Sequence, residues 1–278
     1  MRWGISTLIG HKKSLASCCR EAAALGYQCI ELNCVRDYYA HCNALQLADS
    51  PEELDNINNL LRGNNLKCSA VDCHGLFGRN KAEVFYTLEY LNAGFRIARY
   101  LGAPAVITSI PGGGADFPDM ITMTRELCRK AAAENLNLNI EAEYGFAVGP
   151  GNLKEFLDAV GAENLKVNFD PSHFVRSGRK VEEAIQNFFD RISHVHLKEY
   201  LPEIQHGTRY TGAPGTPCSR MLDELLHLGY NGVVSAETSV ELDEDKSENP
   251  AESIMSGINK WLESKGLEVI GRHELCAI

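Results

Sequence analysis

The chain has 278 residues, of which 44% are hydrophobic and 23% charged, a composition that excludes a disordered or collagen-like chain. No apolar run approaches the roughly 20 residues that span a bilayer, so no membrane partner is expected. The net charge of −10 argues against nucleic acid as a partner, because phosphate binding needs a cationic surface.

The N-terminus, MRWGISTLIG, reads directly into a strand near Arg2 to Leu8, with no signal-peptide apolar region. A helix through Ala16 to Leu25 stops at Gly26. The second strand, CIELNC, carries Glu31 and Asn33. Glu31 is either an inward-facing polar group or a partner for a neighbouring strand. Ser50-Pro51-Glu52-Glu53 opens the next helix, with Ser50 as N-cap, Pro51 at the first position and carboxylates in the first turn. The third strand, LKCSAVDCH, ends at His74. A long helix, Ala82 to Tyr100, precedes the fourth strand, APAVITSI, which runs into Pro111 and three glycines. A helix follows over Asp119 to Asn135.

The second half repeats one kind of segment. LNLNIEAEYG carries Glu141 and Glu143; LKVNFDPSHF carries Asp170 and His173; ISHVHLKEY carries His194, His196 and Lys198; GVVSAETS carries Glu237. Each is a short apolar run ending in a ligand-type residue and followed by a helical pattern. The helices read through Leu153 to Val160, Val181 to Phe189, Cys218 to Leu228 and Ala251 to Lys265. Between the seventh strand and the helix at Cys218 lies a long connection, Leu201 to Pro217, rich in Gly, Pro and Thr. Eight strands alternating with helices in 278 residues, close to the usual barrel size of about 250, predict a single α/β domain over residues 1–278, a closed (β/α)₈ TIM barrel.

Side chains two apart on a strand share a face. Asn139 and Glu141 therefore point one way and Leu138 and Ile140 the other. The same alternation groups Asn168 with Asp170, His194 and His196 with Lys198, and Ser235 with Glu237. If the apolar faces meet the helices, each strand sends a carboxylate or imidazole to the same end of the barrel, where such barrels build active sites. Carboxylates crowded there raise one another's pKa, a conflict that a divalent cation removes. His194 is expected below this group as an interior, hydrogen-bonded histidine. His173 and His74 are each open between structural and substrate-contacting roles. The ten cysteines hold no CxxC pair, so idle reduced thiols in a cytoplasmic protein are expected.

At GYQCIEL, NIEAE, NFDPSH, HVHLKE and LGYNGVVSAE the chain resembles the xylose isomerase-like TIM barrel superfamily. That group includes sugar isomerases, ketose 3-epimerases, inosose isomerases, dehydratases and the AP endonucleases of the endonuclease IV type. The resemblance covers essentially the whole chain. It implies that Glu141, Asp170, His196 and Glu237 hold a divalent ion, whether Mn²⁺, Zn²⁺, Co²⁺ or Mg²⁺, and that His173 contacts substrate or a second metal. Two departures stand out. Pro202 occupies the position where ketose 3-epimerases usually carry an arginine, which leaves Arg209 as a substitute, and GAPGTP alters a common GxG turn. The loop after His196 also lacks the Asp-x-His pair of the endonuclease branch.

The expected activity is a metal-dependent isomerisation or epimerisation of a small sugar, ketose or keto-cyclitol through an enediolate. Glu141 and Glu237 are the expected acid–base pair, and His173, His74, Lys198 and Arg209 the substrate contacts. Trp3 and Phe77 are candidate apolar walls. A dehydratase of the inosose or dehydroshikimate type uses the same enolate and is the alternative; an AP endonuclease ranks below both, and a non-enzymatic carbohydrate-binding or partner subunit comes last. The partner is a small carbohydrate or cyclitol, with a homodimer or homotetramer as the expected assembly.

Overall fold

Eight short apolar segments form one parallel sheet: Arg2–Ser6, Cys29–Asn33, Lys67–Asp72, Ala105–Ile110, Asn137–Ala142, Leu165–Phe169, Ile192–Leu197 and Val233–Ala236. Each strand pairs with its neighbour in the chain, and the eighth closes on the first, with Arg2 opposite Val233 and Gly4 opposite Ser235. The result is the (β/α)₈ barrel that the alternation of elements predicts. This computed structural model describes residues 1–35, 40–73, 81–110, 117–142, 152–200, 207–238 and 249–271.

The helices follow from local signals. Leu15–Leu25 starts on Ser14, whose hydroxyl accepts from the Ser17 N–H, and stops at Gly26 with φ +89°, a conformation that glycine adopts without steric cost. Asn152–Val160 buries Leu153, Phe156, Leu157 and Val160 on one stripe, each worth about 1.5–3 kcal/mol. Ser50 stands at the N-cap of Pro51–Gly63, but its side chain makes no capping bond, so Pro51 and the acidic first turn mark that start.

Elements beyond the expected set are short. Ala44–Ala48 and Pro171–Arg176 are helices of about one turn, too brief for a period of 3.6 to register. Glu199–Tyr200 and Gly207–Thr208 pair antiparallel within the long connection after the seventh strand. That connection is tied down beyond them. Tyr210 is fully buried and shares a 2.9 Å hydrogen bond with Ser219. Gly212, at φ +75°, packs backbone to backbone against Gly257 of the last helix, Pro250–Ser264.

Trp3 departs from its expected place. Its ring meets Trp261 of the last helix edge-on, with centroids 6.2 Å apart. Alternation along the first strand turns it outward to the helical shell, so it is not a wall of the barrel's interior. The nine cysteines among the described residues are free. Among the described residues, no helix is long and apolar enough to cross a membrane.

Candidate metal centre

Strand ends bring the ligand-type residues together. Glu141 is the penultimate residue of the fifth strand; Asp170 directly follows the sixth; His196 lies in the seventh and Lys198 just after it; Glu237 directly follows the eighth. Glu141, Asp170, His196 and Glu237 are buried, from 1% exposure for Asp170 and His196 to 9% for Glu237, and Lys198 is partly buried. They gather at the C-terminal end of the barrel, where inward side chains of different strands meet.

The His196 ring is the hub. Its Nδ1 lies 2.6 Å from Glu237 Oε2 and 2.9 Å from Glu141 Oε2. Its Nε2 lies 3.0 Å from Oε2 of Glu31, a residue of the second strand that is fully buried. Lys198 Nζ bridges Asp170 Oδ2 at 2.6 Å and Glu237 Oε1 at 3.2 Å. His173 Nε2 lies 3.0 Å from Glu141 Oε1 and 3.5 Å from Asp170 Oδ2. Asp170 also caps the short helix after it, accepting from the Ser172 N–H at 2.8 Å through its other oxygen.

A lower layer supports this one. Asn168 donates through Nδ2 to Glu141 Oε2 at 2.5 Å and accepts through Oδ1 from His194 Nδ1 at 2.8 Å. His194 is thus an interior hydrogen-bonded histidine, as alternation suggests. Its alignment with Asn168 depends on an irregularity. Val167 pairs with Ile192, but Asn168 pairs with His194, so one residue of the seventh strand is skipped. A similar skip separates Ile30 from Glu31 on the second strand.

Electrostatics follow from burial and these contacts. Burial pushes the Glu237 carboxyl up, but Lys198 and His196 outweigh it and hold it down at about 2. Burial also opposes ionisation of Glu31, and the two imidazoles still keep it below the ordinary carboxylate range. Burial disfavours a charged His196, yet Glu31, Glu237 and Glu141 raise it well above its usual value. His194 goes the other way, because burial dominates and lowers it to about 4.

This donor set fits a divalent cation. Glu31, Glu141, Asp170 and Glu237 are buried carboxylates whose only lysine is Lys198 among the described ion pairs, which leaves negative charge in excess of fixed positive charge. Donor atoms of Glu141, Asp170 and His196 lie within 4.8 Å of one another, as do those of Glu31, His194 and His196. Oxygen ligands with an imidazole suit Mg²⁺, Mn²⁺, Co²⁺ or Zn²⁺.

Of the residues expected in the site, Glu141, Asp170, His173, His196, Lys198 and Glu237 form one contact network. Arg209 is half-buried, directly after the short strand Gly207–Thr208. His74, Phe77, Glu143, the Pro111 glycine turn, Pro202 and His206 lie outside the described residues. Glu31 and Asn168 are the additions. Alternation groups Asn168 with Asp170 but does not decide the role of Glu31, whose partner His196 lies 165 positions away.

A family model described as xylose isomerase-like TIM barrel matches residues 19–265. A search of curated protein sequences found no match. Among solved structures, the chain is similar to a probable 3-DHS dehydratase, AsbF, from Bacillus anthracis, at 18% identity and TM-score 0.72, covering 93% of this chain and 98% of that one. It is similar to the IolI protein with a bound zinc atom at 15% identity and TM-score 0.76, covering 95% and 99%. A D-psicose 3-epimerase with D-tagatose from Clostridium cellulolyticum H10 gives 15% identity and TM-score 0.74, covering 93% and 97%. At these identities the likeness is one of fold.

Proposed function

The chain belongs to the xylose isomerase-like TIM barrel family, and from that premise we propose that it is a divalent-metal-dependent isomerase or epimerase of a small sugar, ketose or keto-cyclitol. The observation that carries the reading is the meeting of Glu141 and Glu237, from separate strands, on one nitrogen of His196. Two carboxylates that flank one point serve a reaction that removes a proton on one side and returns it on the other.

Glu141, Asp170, His196 and Glu237 would hold the ion. When bound, it supplies the positive charge that makes a carbonyl-adjacent C–H acidic and offsets the developing enediolate. The chain's own groups do the rest. Glu237 takes or returns a proton, with Glu141 as its counterpart; such general acid–base work is worth about 10²–10⁴ in rate. Lys198 and His173, both at the carboxylates, donate hydrogen bonds to substrate oxygens. Arg209 and His74 are proposed as further contacts to substrate hydroxyls. Burial of the carboxylates keeps bulk water from competing for the proton.

The test is NMR in D₂O with metal-loaded protein and a panel of ketoses and inososes. Deuterium entering at the carbon next to the carbonyl, with a new epimer or isomer and no loss of water, is expected. Elimination of water would replace this reading with a dehydratase. Cleavage of abasic DNA without any exchange would replace it with an endonuclease.

A further inference from the structure

We propose that Glu31 is a positioning residue that holds the His196 ring with Nε2 protonated and Nδ1 turned toward the carboxylates of Glu141 and Glu237. The inference rests on the metal-centre reading above and goes beyond it, because Glu31 is not in the ligand set.

The geometry is that of a carboxylate, an imidazole and a cation site in series. Glu31 Oε2 is 3.0 Å from His196 Nε2, while Glu237 and Glu141 face Nδ1 at 2.6 and 2.9 Å. A neutral imidazole has one N–H and one lone pair, and the partner of one nitrogen decides which nitrogen keeps the proton. A metal-binding histidine generally gives its other N–H to a carboxylate or carbonyl, which fixes both tautomer and ring orientation. Glu31 is fully buried, and among the described residues its carboxylate pairs with His196 and, at 3.6 Å, with His194. No lysine or arginine joins it among the described ion pairs, so the arrangement is poor as a plain stabilising salt bridge. A buried carboxylate without such a role would be a net cost.

The support beneath it is also set. His194 is tied to Asn168 through Nδ1, and Asn168 is tied to Glu141. Alternation along the second strand puts Glu31 on the same face as Cys29, and its pairing with the third strand skips Ser69, so that Ile30 meets Cys68 and Glu31 meets Ala70. One network therefore links the orientation of His196 to the carboxylates it faces.

A competing reading makes Glu31, His194 and His196 ligands of a second ion, and the two readings differ in stoichiometry and in tautomer. The experiment titrates Zn²⁺ into metal-free protein against a chromophoric chelator, for the wild type, Glu31→Gln and Asp170→Asn. Imidazole ¹⁵N NMR of the zinc-loaded wild type is recorded alongside. The expected result is one equivalent of Zn²⁺ in the wild type, a 10–100-fold weaker single site in Glu31→Gln, and a proton on His196 Nε2. Unchanged affinity in Glu31→Gln overturns the proposal. So does a second equivalent that disappears in that variant, or a bare Nε2 in the spectrum. If Glu31→Gln does not fold, the wild-type tautomer decides alone. Asp170→Asn keeps the two readings apart: full Zn²⁺ affinity in that variant sinks the metal centre and the proposal together, whereas its loss beside an unaffected Glu31→Gln sinks only the role of Glu31.

Discussion

Lys198 Nζ stands 2.6 Å from Asp170 Oδ2, an ion pair with the aspartate side chain fully buried and the lysine 12% exposed. Breaking such a pair by removing one partner leaves a buried charge uncompensated, at about 3–5 kcal/mol. Lys198→Met is therefore expected to lower the melting temperature of the metal-free protein by several degrees. Added divalent metal should recover part of the loss, because a cation among the carboxylates replaces the missing charge. A calorimetric melt with and without metal checks this; an equal loss in both would mean that lysine and metal do not serve the same carboxylates.

Glu141→Gln and Glu237→Gln keep the size of each side chain and remove its ability to carry a proton. Each is expected to lower kcat by about 10²–10⁴. Steady-state kinetics on the substrate found by NMR measures it. Full turnover in both variants would remove the acid–base assignment.

Gly257 faces the backbone of the long connection. A Cβ there would lie 2.6 Å from Tyr210 O and 2.9 Å from Gly212 N. Gly257→Ala must push the connection off the last helix, at about 1–3 kcal/mol. Denaturant unfolding should show a lower midpoint with an unchanged slope. No shift in the midpoint would mean that the connection yields freely.

Glu199 is an acid in an unfavourable place. Burial raises its carboxyl above the ordinary value, and the N–H of Cys218 at 3.2 Å only partly offsets this. For an acid with a raised folded-state pKa, the folded protein is favoured below the unfolded pKa near 4.5, and that advantage is lost as pH rises through the folded value. Glu199→Gln should therefore raise the melting temperature at pH 7, with the gain fading below about pH 4. Melts across that range test the sign.

Much of the fold was legible because its causes are local. The run Leu138-Asn139-Ile140-Glu141 alternates with period 2, and Gly26 ends a helix wherever the chain places it. That Glu141, Asp170, His196 and Glu237 stand at or next to the ends of their strands is readable for the same reason, since each lies at the end of a short apolar run. Other features left little trace. The helix Pro171–Arg176 is shorter than two turns, and the strands Glu199–Tyr200 and Gly207–Thr208 have two residues each. The skip between Val167 and Asn168 arises from how two strands mate. Trp3 points outward by the alternation of its own strand, and its edge-on contact with Trp261 appears only once the last helix packs there.

The amino-acid sequence by itself determined the barrel, the order of its elements and the residue types at the ends of its later strands, because alternation and capping act over a few residues. Tertiary structure alone decided that Glu31 meets His196, that Asn168 links Glu141 to His194, and that Lys198 bridges Asp170 and Glu237. Those contacts depend on closing the sheet and on the stagger of its strands, which couple residues far apart in the chain through a geometry that no local segment encodes.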